Sequence, residues 1–292
     1  RDHGGAMKVC TTKAETRATL SAFRKAGDSI GLVPTMGFLH DGHMALVRAA
    51  TAECDRVVVS IFVNPTQFGP KEDLASYPRD TDRDLAMLRE AGVDVVFMPG
   101  PEEMYHAENQ TIVETTELSK MLIGQIRPGH FRGVATVVTK LLNIIQPDRA
   151  FFGKKDYQQL RVIKTMVRDL DMPVRIIGVP TVREADGLAM SSRNVKLTAE
   201  DRKAAVVLSK SLILADKLVT DGITATELEQ EVRDVLDAEP RANVQSVDVR
   251  DADTLARIKG RIKKPAVVLL AVRFGDVLLI DQRVVTPERS PT

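Results

Sequence analysis

The stretch SIGLVPTMGFLHDGHMALVRAA, residues 29–50, decides the fold. Its apolar opening, SIGLVPT, predicts a strand, and the spacing of apolar side chains over 42–54 predicts a helix directly after it. His40 and His43 lie three residues apart in the connecting turn, with Gly42 just before the second. A strand that ends in a turn and continues into a helix is the opening of a βαβ unit.

The same alternation continues through the first 180 residues. Further strands are predicted at 56–63, 93–99, 111–115, 149–153 and 174–180, and further helices at 80–91, 134–146 and 157–170. Continuous apolar strands separated by helices are typical of a parallel sheet covered on both faces. We therefore expect an α/β protein with a Rossmann-like parallel sheet, in which ligands bind beyond the carboxyl ends of the strands.

A different pattern follows residue 185. It predicts one long helix over 197–219, a second over 224–236, an edge strand at 244–251 and a hairpin over 266–282 that turns at Gly275–Asp276. We therefore expect a Rossmann-like domain at 7–183 and a smaller α+β C-terminal lid domain at 184–292. Residues 1–6, RDHGGA, are interpreted as an expression remnant and are left out of the fold prediction.

Composition excludes several classes of partner. The 41 basic and 40 acidic residues nearly cancel, so no overall field attracts nucleic acid or a membrane. Tryptophan is absent, which argues against an aromatic base-stacking surface. The longest apolar run, AVVLLAV, is too short to span a bilayer. Cys10 and Cys54 form neither a CxxC motif nor a metal spacing, which suits a reducing, cytoplasmic location.

The HDGH turn has the chemistry of a phosphate site. A helix N-terminus offers unpaired N–H groups and partial positive charge, and Gly37 and Gly42 let the backbone approach an anion. Each imidazole can also donate a hydrogen bond to a phosphate oxygen. A zinc pair, which would need further ligands, and a pair of capping histidines stay open on spacing alone. Neither a Walker A motif nor GxGxxG occurs.

HxGH at this place resembles the signature of the nucleotidyl-transferring superfamily that includes class I aminoacyl-tRNA synthetases. Further stretches resemble one family within it, the pantoate–β-alanine ligases, in order and in spacing. They are PTMGFLHDGH (34–43), FVNPTQF (62–68), YPRD (77–80), GHFRGVATVVTKLLNIIQPD (129–148), FFGKKDYQQL (151–160) and DGLAMSSRN (186–194). The resemblance covers roughly residues 7–285.

This resemblance implies ATP-dependent condensation of pantoate with β-alanine, the last step of pantothenate synthesis. The implied route passes through a pantoyl adenylate and releases pyrophosphate and AMP. It also implies Mg²⁺ with the phosphates and a homodimer, while no side chain is assigned as a metal ligand.

The resemblance also implies site residues. His43 is the expected acid catalyst, His40 its phosphate-binding companion, and Lys155 and Arg193 further catalytic groups. Gln67 and Gln159 are expected to hold pantoate, with His130 near the phosphates. The implied ATP-binding residues are Met36, Gly37, Phe38, Leu39, His40, Asp41, Gly42, His43, Gly153, Lys154, Lys155, Asp156, Val182, Met190, Ser191, Ser192 and Arg193.

Three other functions are compatible with HxGH. An adenylyl- or cytidylyltransferase with a phosphorylated acceptor would share the loop, but not the NPTQF and KKDYQQL blocks. A nucleotide-binding protein with a decayed site would not need the intact set of polar residues. A tRNA synthetase would need tRNA-binding domains and a basic surface. Phe38, Thr66, Lys154 and Met190 depart from the usual family residues, and none of them removes a functional side chain.

Overall fold

The structure is a computed structural model that describes residues 5–72, 74–219 and 222–287. Of the predicted remnant at 1–6, residues 1–4 lie outside the described part. The chain divides into two compact units. Among the described residues, the first comprises those up to Gly153 together with Gln158–Val179, and the second comprises Lys154–Tyr157 and those from Pro180 onward.

A six-stranded parallel sheet forms the centre of the first unit, in the order β1-β4-β3-β2-β5-β6. The strands are β1 Lys8–Cys10, β2 Ile30–Thr35, β3 Arg56–Ile61, β4 Val95–Phe97, β5 Arg149–Gly153 and β6 Arg175–Val179. Parallel neighbours require long crossover connections, and helices supply most of them. The predicted Rossmann-like parallel sheet is confirmed.

The helices that connect these strands begin at capping residues where the sequence supplies them. The side chains of Thr12 and Asp80 accept backbone N–H bonds at the first turns of two of them. A short 3-10 helix, Pro65–Gln67, follows β3. The α-helices are α1 Lys13–Lys25, α2 Asp41–Glu53, α3 Thr81–Glu90, α4 Pro101–Met104, α5 Ile123–Ile126, α6 His130–Ile145 and α7 Tyr157–Asp169.

Both faces of the sheet are covered by apolar side chains. Successive residues of a strand point to opposite faces, so Leu32 packs in the cluster that contains the buried face of α6 while Val33 packs in the cluster that contains α2. Each fully buried leucine contributes about 1.5–3 kcal/mol relative to exposure. The loops at the carboxyl edge are therefore carried by a rigid, doubly covered sheet.

The second unit has its own core and an antiparallel sheet in the order β7-β8-β9. Strands β8 and β9 form the predicted hairpin, and Gly275 supplies the positive φ of 58° that its tight turn requires. The smaller α+β region is confirmed. Its elements are α8 Ala199–Ala204, α9 Val207–Leu218, α10 Ala225–Asp237, β7 Asn243–Asp251, β8 Ala266–Phe274 and β9 Val277–Val285.

Two predicted elements are wrong. Residues 111–115 do not form a strand, because Val113 bonds through its N–H and C=O to the Thr136 hydroxyl of α6 rather than to a neighbouring strand. The single helix predicted over 197–219 is two helices. Ala205 keeps helical dihedral angles, but Leu208 N–H bonds the Ala205 carbonyl in a tighter i→i−3 turn that separates them.

The sequence prediction also missed the first strand and helix. β1 has only three residues and pairs with β4 alone at the sheet edge, so its sequence carries too short an apolar pattern to recognise. No helix in the described ranges is both long and apolar enough to cross a bilayer.

Candidate active site

Polar clusters follow three adjacent strands of the first unit's sheet. β3, β2 and β5 are parallel neighbours in the sheet, and their carboxyl ends lie at one edge. The loop after β2 carries His40 and His43, and the segment after β3 carries Asn64 and Gln67. The first unit thus brings both of these clusters to the edge where ligands bind in open α/β sheets.

His40 and His43 form a reciprocal capping box at the start of α2. His40 is the N-cap, and its Nδ1 accepts the Gly42 N–H at 3.0 Å, while His43 Nδ1 accepts the His40 N–H at 3.1 Å. The ring centroids lie 4.1 Å apart. An Nδ1 that accepts a backbone N–H leaves the proton of the neutral ring on Nε2. Both rings are therefore fixed as Nε2–H donors.

The turn before the capping box is held by the protein itself. Gly37 and Phe38 have φ values of 80° and 50°, and the Asp84 carboxylate accepts the N–H groups of Phe38 and Leu39, each at 2.8 Å. Arg83 of the same helix donates to the Leu39 carbonyl at 3.0 Å. The backbone N–H groups of four residues of the turn, 38–40 and 42, thus donate hydrogen bonds to acceptors within the protein.

This arrangement narrows one expectation. The sequence predicts that backbone N–H groups at this turn face an anion, whereas those at 38–40 and 42 bond to a buried carboxylate and to the two imidazoles. Buried N–H groups need a partner whether or not a ligand is present, and the protein provides it. The side-chain donors that the turn can direct at a phosphate are the imidazole Nε2–H groups. The capping interpretation of the histidines is correct, and it orients them as donors.

Gln67 is oriented by a buried amide. Asn64 is 1% exposed, and its Nδ2 donates to Gln67 Oε1 and to the Gly133 carbonyl, both at 3.1 Å. The Gln67 Nε2 then faces Met36 Sδ at 3.3 Å. Sulfur is a weak acceptor. Gln67 therefore keeps donor capacity for a ligand carboxylate or hydroxyl beside the histidine loop.

Tyr105 completes this polar cluster. Its hydroxyl donates to Asn64 Oδ1 at 2.7 Å, and Thr66 Oγ1 lies 3.3 Å from the same hydroxyl. Burial raises the pKa of the Tyr105 phenol, so it stays protonated and able to donate at neutral pH. The Asn64 carbonyl oxygen is thereby fixed as the acceptor, and its NH₂ group is directed at Gln67.

His130, the first residue of α6, supports the same segment from the other side. Its Nδ1 lies 3.0 Å from the Gln67 carbonyl oxygen, and its Nε2 lies 3.4 Å from an Arg127 nitrogen. A carbonyl only accepts, so this ring carries its proton on Nδ1. Arg127 forms a bidentate pair with Glu72 and lowers the pKa of that carboxyl. The structure thus places His130 against the Gln67 backbone.

The neighbouring glutamines of α7 have different environments. Gln158 is 2% exposed and bonds to the backbone of 118, 121 and 123 through both ends of its amide. Gln159, the predicted pantoate residue, is partly exposed. The sequence pattern alone does not distinguish them, because both belong to the same YQQL stretch.

Of the remaining predicted ATP residues, Gly153 is the last residue of β5 in the first unit, and the others belong to the second unit. Val182 and Met190 come together across a short antiparallel bridge, in which Met190 N–H donates to the Val182 carbonyl at 2.9 Å. Ser191 caps the 3-10 helix Ser192–Lys196 through its Oγ. Arg193 is exposed and donates to the Leu278 carbonyl at 3.2 Å. Lys154 and Asp156 are exposed, and Lys155 is partly exposed.

An ion pair that the sequence did not predict anchors this bridge. Arg183 makes a bidentate contact with Asp281 at 2.7 and 2.9 Å, and it also donates to the Gly187 carbonyl. The Asp281 side chain is 1% exposed. The pair joins strand β9 to the loop that carries the MSSR residues. Because its two residues are 98 positions apart in the chain, no local sequence pattern predicts it.

Comparison with known proteins identifies the family. A profile described as pantoate-beta-alanine ligase matches residues 8–284. Curated proteins named pantothenate synthetase from Bartonella tribocorum and Sinorhizobium medicae are 56% and 53% identical, over 94% and 97% of this chain and 97% of each relative. The chain belongs to the pantoate–β-alanine ligase family.

Solved structures of this ligase family share the fold. The pantothenate synthetase of Thermus thermophilus superposes with a TM-score of 0.90 at 46% identity, covering 96% of this chain and 100% of that one. The pantoate-beta-alanine ligase of Francisella tularensis, solved in complex with β-γ ATP and β-alanine, gives 0.79 at 35% identity and covers 96% and 98%.

Across residues 5–72, 74–219 and 222–287, no group of three or more His, Cys, Asp or Glu side chains is placed to hold a metal ion. Asp84, Tyr105 and the Arg183–Asp281 pair are among the site-supporting residues that the sequence analysis missed. An aspartate in the first turn of a helix normally indicates only favourable interaction with the helix dipole, so the spacing of Asp84 gave no signal of its role.

Proposed function

We propose that this chain joins pantoate to β-alanine in a reaction driven by ATP, forming pantothenate. The observation that carries the proposal is the His40–His43 capping box, which presents Nε2–H donors at the carboxyl edge of the sheet beside the oriented Gln67 amide. Membership in the ligase family supports the reaction, and the Francisella tularensis relative was solved in complex with β-γ ATP and β-alanine.

The proposed chemistry has two steps. A pantoate carboxylate oxygen bonds to the α-phosphorus of ATP while the bond to the bridging oxygen breaks and pyrophosphate leaves. The β-alanine nitrogen then bonds to the acyl carbon of the pantoyl adenylate, the acyl C–O bond breaks, AMP leaves and the nitrogen loses a proton. Adenylation replaces a poor leaving group with a good one, so the protein mainly positions reactants and stabilises charge.

The two imidazoles would act on the phosphates through Nε2. Negative charge on the phosphate oxygens grows as pyrophosphate departs, and donors already fixed in place stabilise it without reorganisation. His43, the proposed acid, and His40 each have Nδ1 bonded to a backbone N–H, so neither ring can turn away without losing its cap.

Gln67 would hold pantoate through Nε2, with Gln159 as a second amide contact. His130 would act mainly by fixing the Gln67 backbone. The ATP segments of the second unit would supply Lys155, the Ser191 and Ser192 hydroxyls and the Arg193 guanidinium as phosphate donors. Gly153, Lys154, Asp156, Val182 and Met190 would contact the nucleotide.

We also propose Mg²⁺ as a companion of ATP, since this ion usually keeps several waters and binds mainly through substrate phosphates. A homodimer is proposed from the family resemblance. A cytoplasmic location is proposed because Cys10 and Cys54 are buried thiols rather than disulfide partners, which suits a reducing compartment.

Exchange of labelled pyrophosphate into ATP tests the function. We expect exchange only when pantoate is present, and AMP as the product once β-alanine is added. ADP and phosphate would instead indicate an acyl-phosphate ligase, and exchange supported only by a phosphorylated acceptor would indicate a nucleotidyltransferase.

His43→Ala tests the site itself. Removing one preorganised donor should lower kcat by about 10²–10³-fold. His106→Ala is the matched control, because the exposed His106 ring also accepts a backbone N–H through Nδ1, at 3.0 Å from Glu108 N. We expect His106→Ala to keep the wild-type rate, and an unchanged rate for His43→Ala would contradict the assignment.

A further inference from the structure

Asp84 is a buried carboxylate outside every motif that identifies the family. It lies in the first turn of α3 and is 2% exposed. Its Oδ2 accepts the Phe38 N–H and its Oδ1 accepts the Leu39 N–H, each at 2.8 Å. Burying a charge is costly unless hydrogen bonds compensate it, and here the compensating donors come from the histidine loop.

The loop has a conformation that needs such a partner. Gly37 and Phe38 both have positive φ, and this conformation costs free energy in any residue other than glycine. Consecutive backbone N–H groups in such a turn point to one side and form an anion-binding concavity. The Asp84 carboxylate fills that concavity from within the protein.

The packing around the carboxylate is close. A Cβ at Gly37 would lie 3.1 Å from Asp84 Oδ2 and 3.1 Å from Ile61 Cγ2, which leaves the turn little freedom to shift. Leu39, whose N–H Asp84 binds, directly precedes the N-cap His40. A change at position 84 therefore moves the residue from which the capping box begins.

We propose that Asp84 is a positioning residue for the adenylation step. It acts through the turn at 37–39. By fixing this turn it sets the position of the capping box, and with it the positions of the Nε2–H groups of His40 and His43. It does not contact substrate, because both of its carboxylate oxygens accept backbone N–H groups of the loop. The inference rests on the proposed function for its kinetic consequence, but not for its structural one.

Asp84→Asn is the main test. The amide keeps one acceptor oxygen but sets an NH₂ group against the second backbone N–H, so one hydrogen bond is lost and two donors face each other. A misplacement on the order of 1 Å costs about 10²-fold in rate, and a partial shift of the loop should lower kcat for pantoate-dependent pyrophosphate exchange by about 10- to 100-fold. The KM for ATP should change much less.

Asp94→Asn is the matched control. Asp94 also accepts two hydrogen bonds, one from the Val57 N–H at 2.8 Å and one from the Arg56 guanidinium at 3.1 Å. It differs from Asp84 in lying at the amino edge of the same sheet. We expect it to lower the midpoint of urea unfolding as Asp84→Asn does while keeping wild-type kcat. Equal kcat losses in the two variants, or wild-type kcat in Asp84→Asn, would overturn the proposal.

A rescue variant separates positioning from simple stability. Phe38→Gly, added to Asp84→Asn, removes the cost of positive φ, so the turn should keep its shape with one hydrogen bond. We expect the double variant to regain several-fold in kcat over Asp84→Asn. Equal rates in the single and double variants would show that Asp84 does not act through the turn.

Measurements on the wild-type protein need no folded variant. Hydrogen exchange should show the Phe38 and Leu39 amides strongly protected, and ¹⁵N NMR of labelled histidine should show His40 and His43 as the Nε2–H tautomer. Fast exchange at both amides would refute the role of Asp84. If the wild-type protein lacks pantoate-dependent exchange while the amides are protected, the proposed function fails and the structural role of Asp84 stands.

Discussion

We expect Gly42→Ala to lower the rate of pantoate adenylation sharply while changing the free energy of unfolding only modestly. A Cβ at position 42 would lie 2.6 Å from His40 Cε1 and 2.8 Å from His40 Nδ1. Ordinary contact begins at 3.4 Å, so the ring must retreat by about 0.8 Å and gives up its hydrogen bond to the Gly42 N–H. The ring that moves is the one proposed to bind phosphate.

The two energies at this position oppose each other. Losing the N-cap bond destabilises by about 0.5–2 kcal/mol. Replacing glycine by alanine in the first turn of α2 stabilises by about 0.5–1 kcal/mol, so the net effect lies between about 0.5 kcal/mol of stabilisation and about 1.5 kcal/mol of destabilisation. The displaced donor should nevertheless cost on the order of 10²-fold in kcat.

Pyrophosphate exchange and urea unfolding on the same preparations measure both quantities. Gly27→Ala is the control, since Gly27 has a φ of 83° and open space where a Cβ would be. That variant should lose about 1–2 kcal/mol of stability from the left-handed backbone and keep its kcat. Wild-type kcat in Gly42→Ala would refute the reasoning, because the ring would then not need its observed place.

Two further predictions concern the segment beside Gln67. A Cβ at Gly133 would lie 2.5 Å from the Thr66 carbonyl oxygen and 2.7 Å from Gln67 Cα, so Gly133→Ala should destabilise by about 1–3 kcal/mol and raise the KM for pantoate, as thermal unfolding and initial rates would show. Arg127 holds the pKa of Glu72 below its ordinary 4.5, so this pair stabilises the fold above that pH, and the contribution is lost as the pH falls through the lowered pKa. Glu72→Gln should therefore lower the free energy of unfolding by at most about 1 kcal/mol near neutral pH. It should also weaken the fall of that free energy with falling pH on the acid side, as urea unfolding at several pH values would show. An unchanged pH dependence would count against the pair.

The elements that the sequence predicted well are those with long, continuous patterns. β3 and α6 are buried along most of their length, and their apolar runs identify them without tertiary information. The β8–β9 hairpin has a glycine where the turn needs positive φ. The strand predicted at 111–115 failed because a β-branched pentapeptide has no strand neighbour there, and only the fold determines whether one is available.

The candidate site divides in the same way. The order of the motifs placed two polar clusters after adjacent strands, which parallel topology then brings to one edge. The supporting residues could not be found by pattern, because Asp84, Tyr105 and Asp281 reach the loops they hold from elements 40 or more residues away in the chain.

The sequence by itself determined five of the six strands of the parallel sheet, most of the long helices between them and the chemistry carried after the strands, since these depend on local periodicity and residue type. Only the tertiary structure decided how that chemistry is directed. Whether an imidazole is a donor at Nε2, and whether a loop N–H faces solvent or a buried carboxylate, depends on which distant group satisfies each polar atom. These partners are set when the chain packs. In this protein the decisive contacts are the hydrogen bonds of His40, His43 and Asp84.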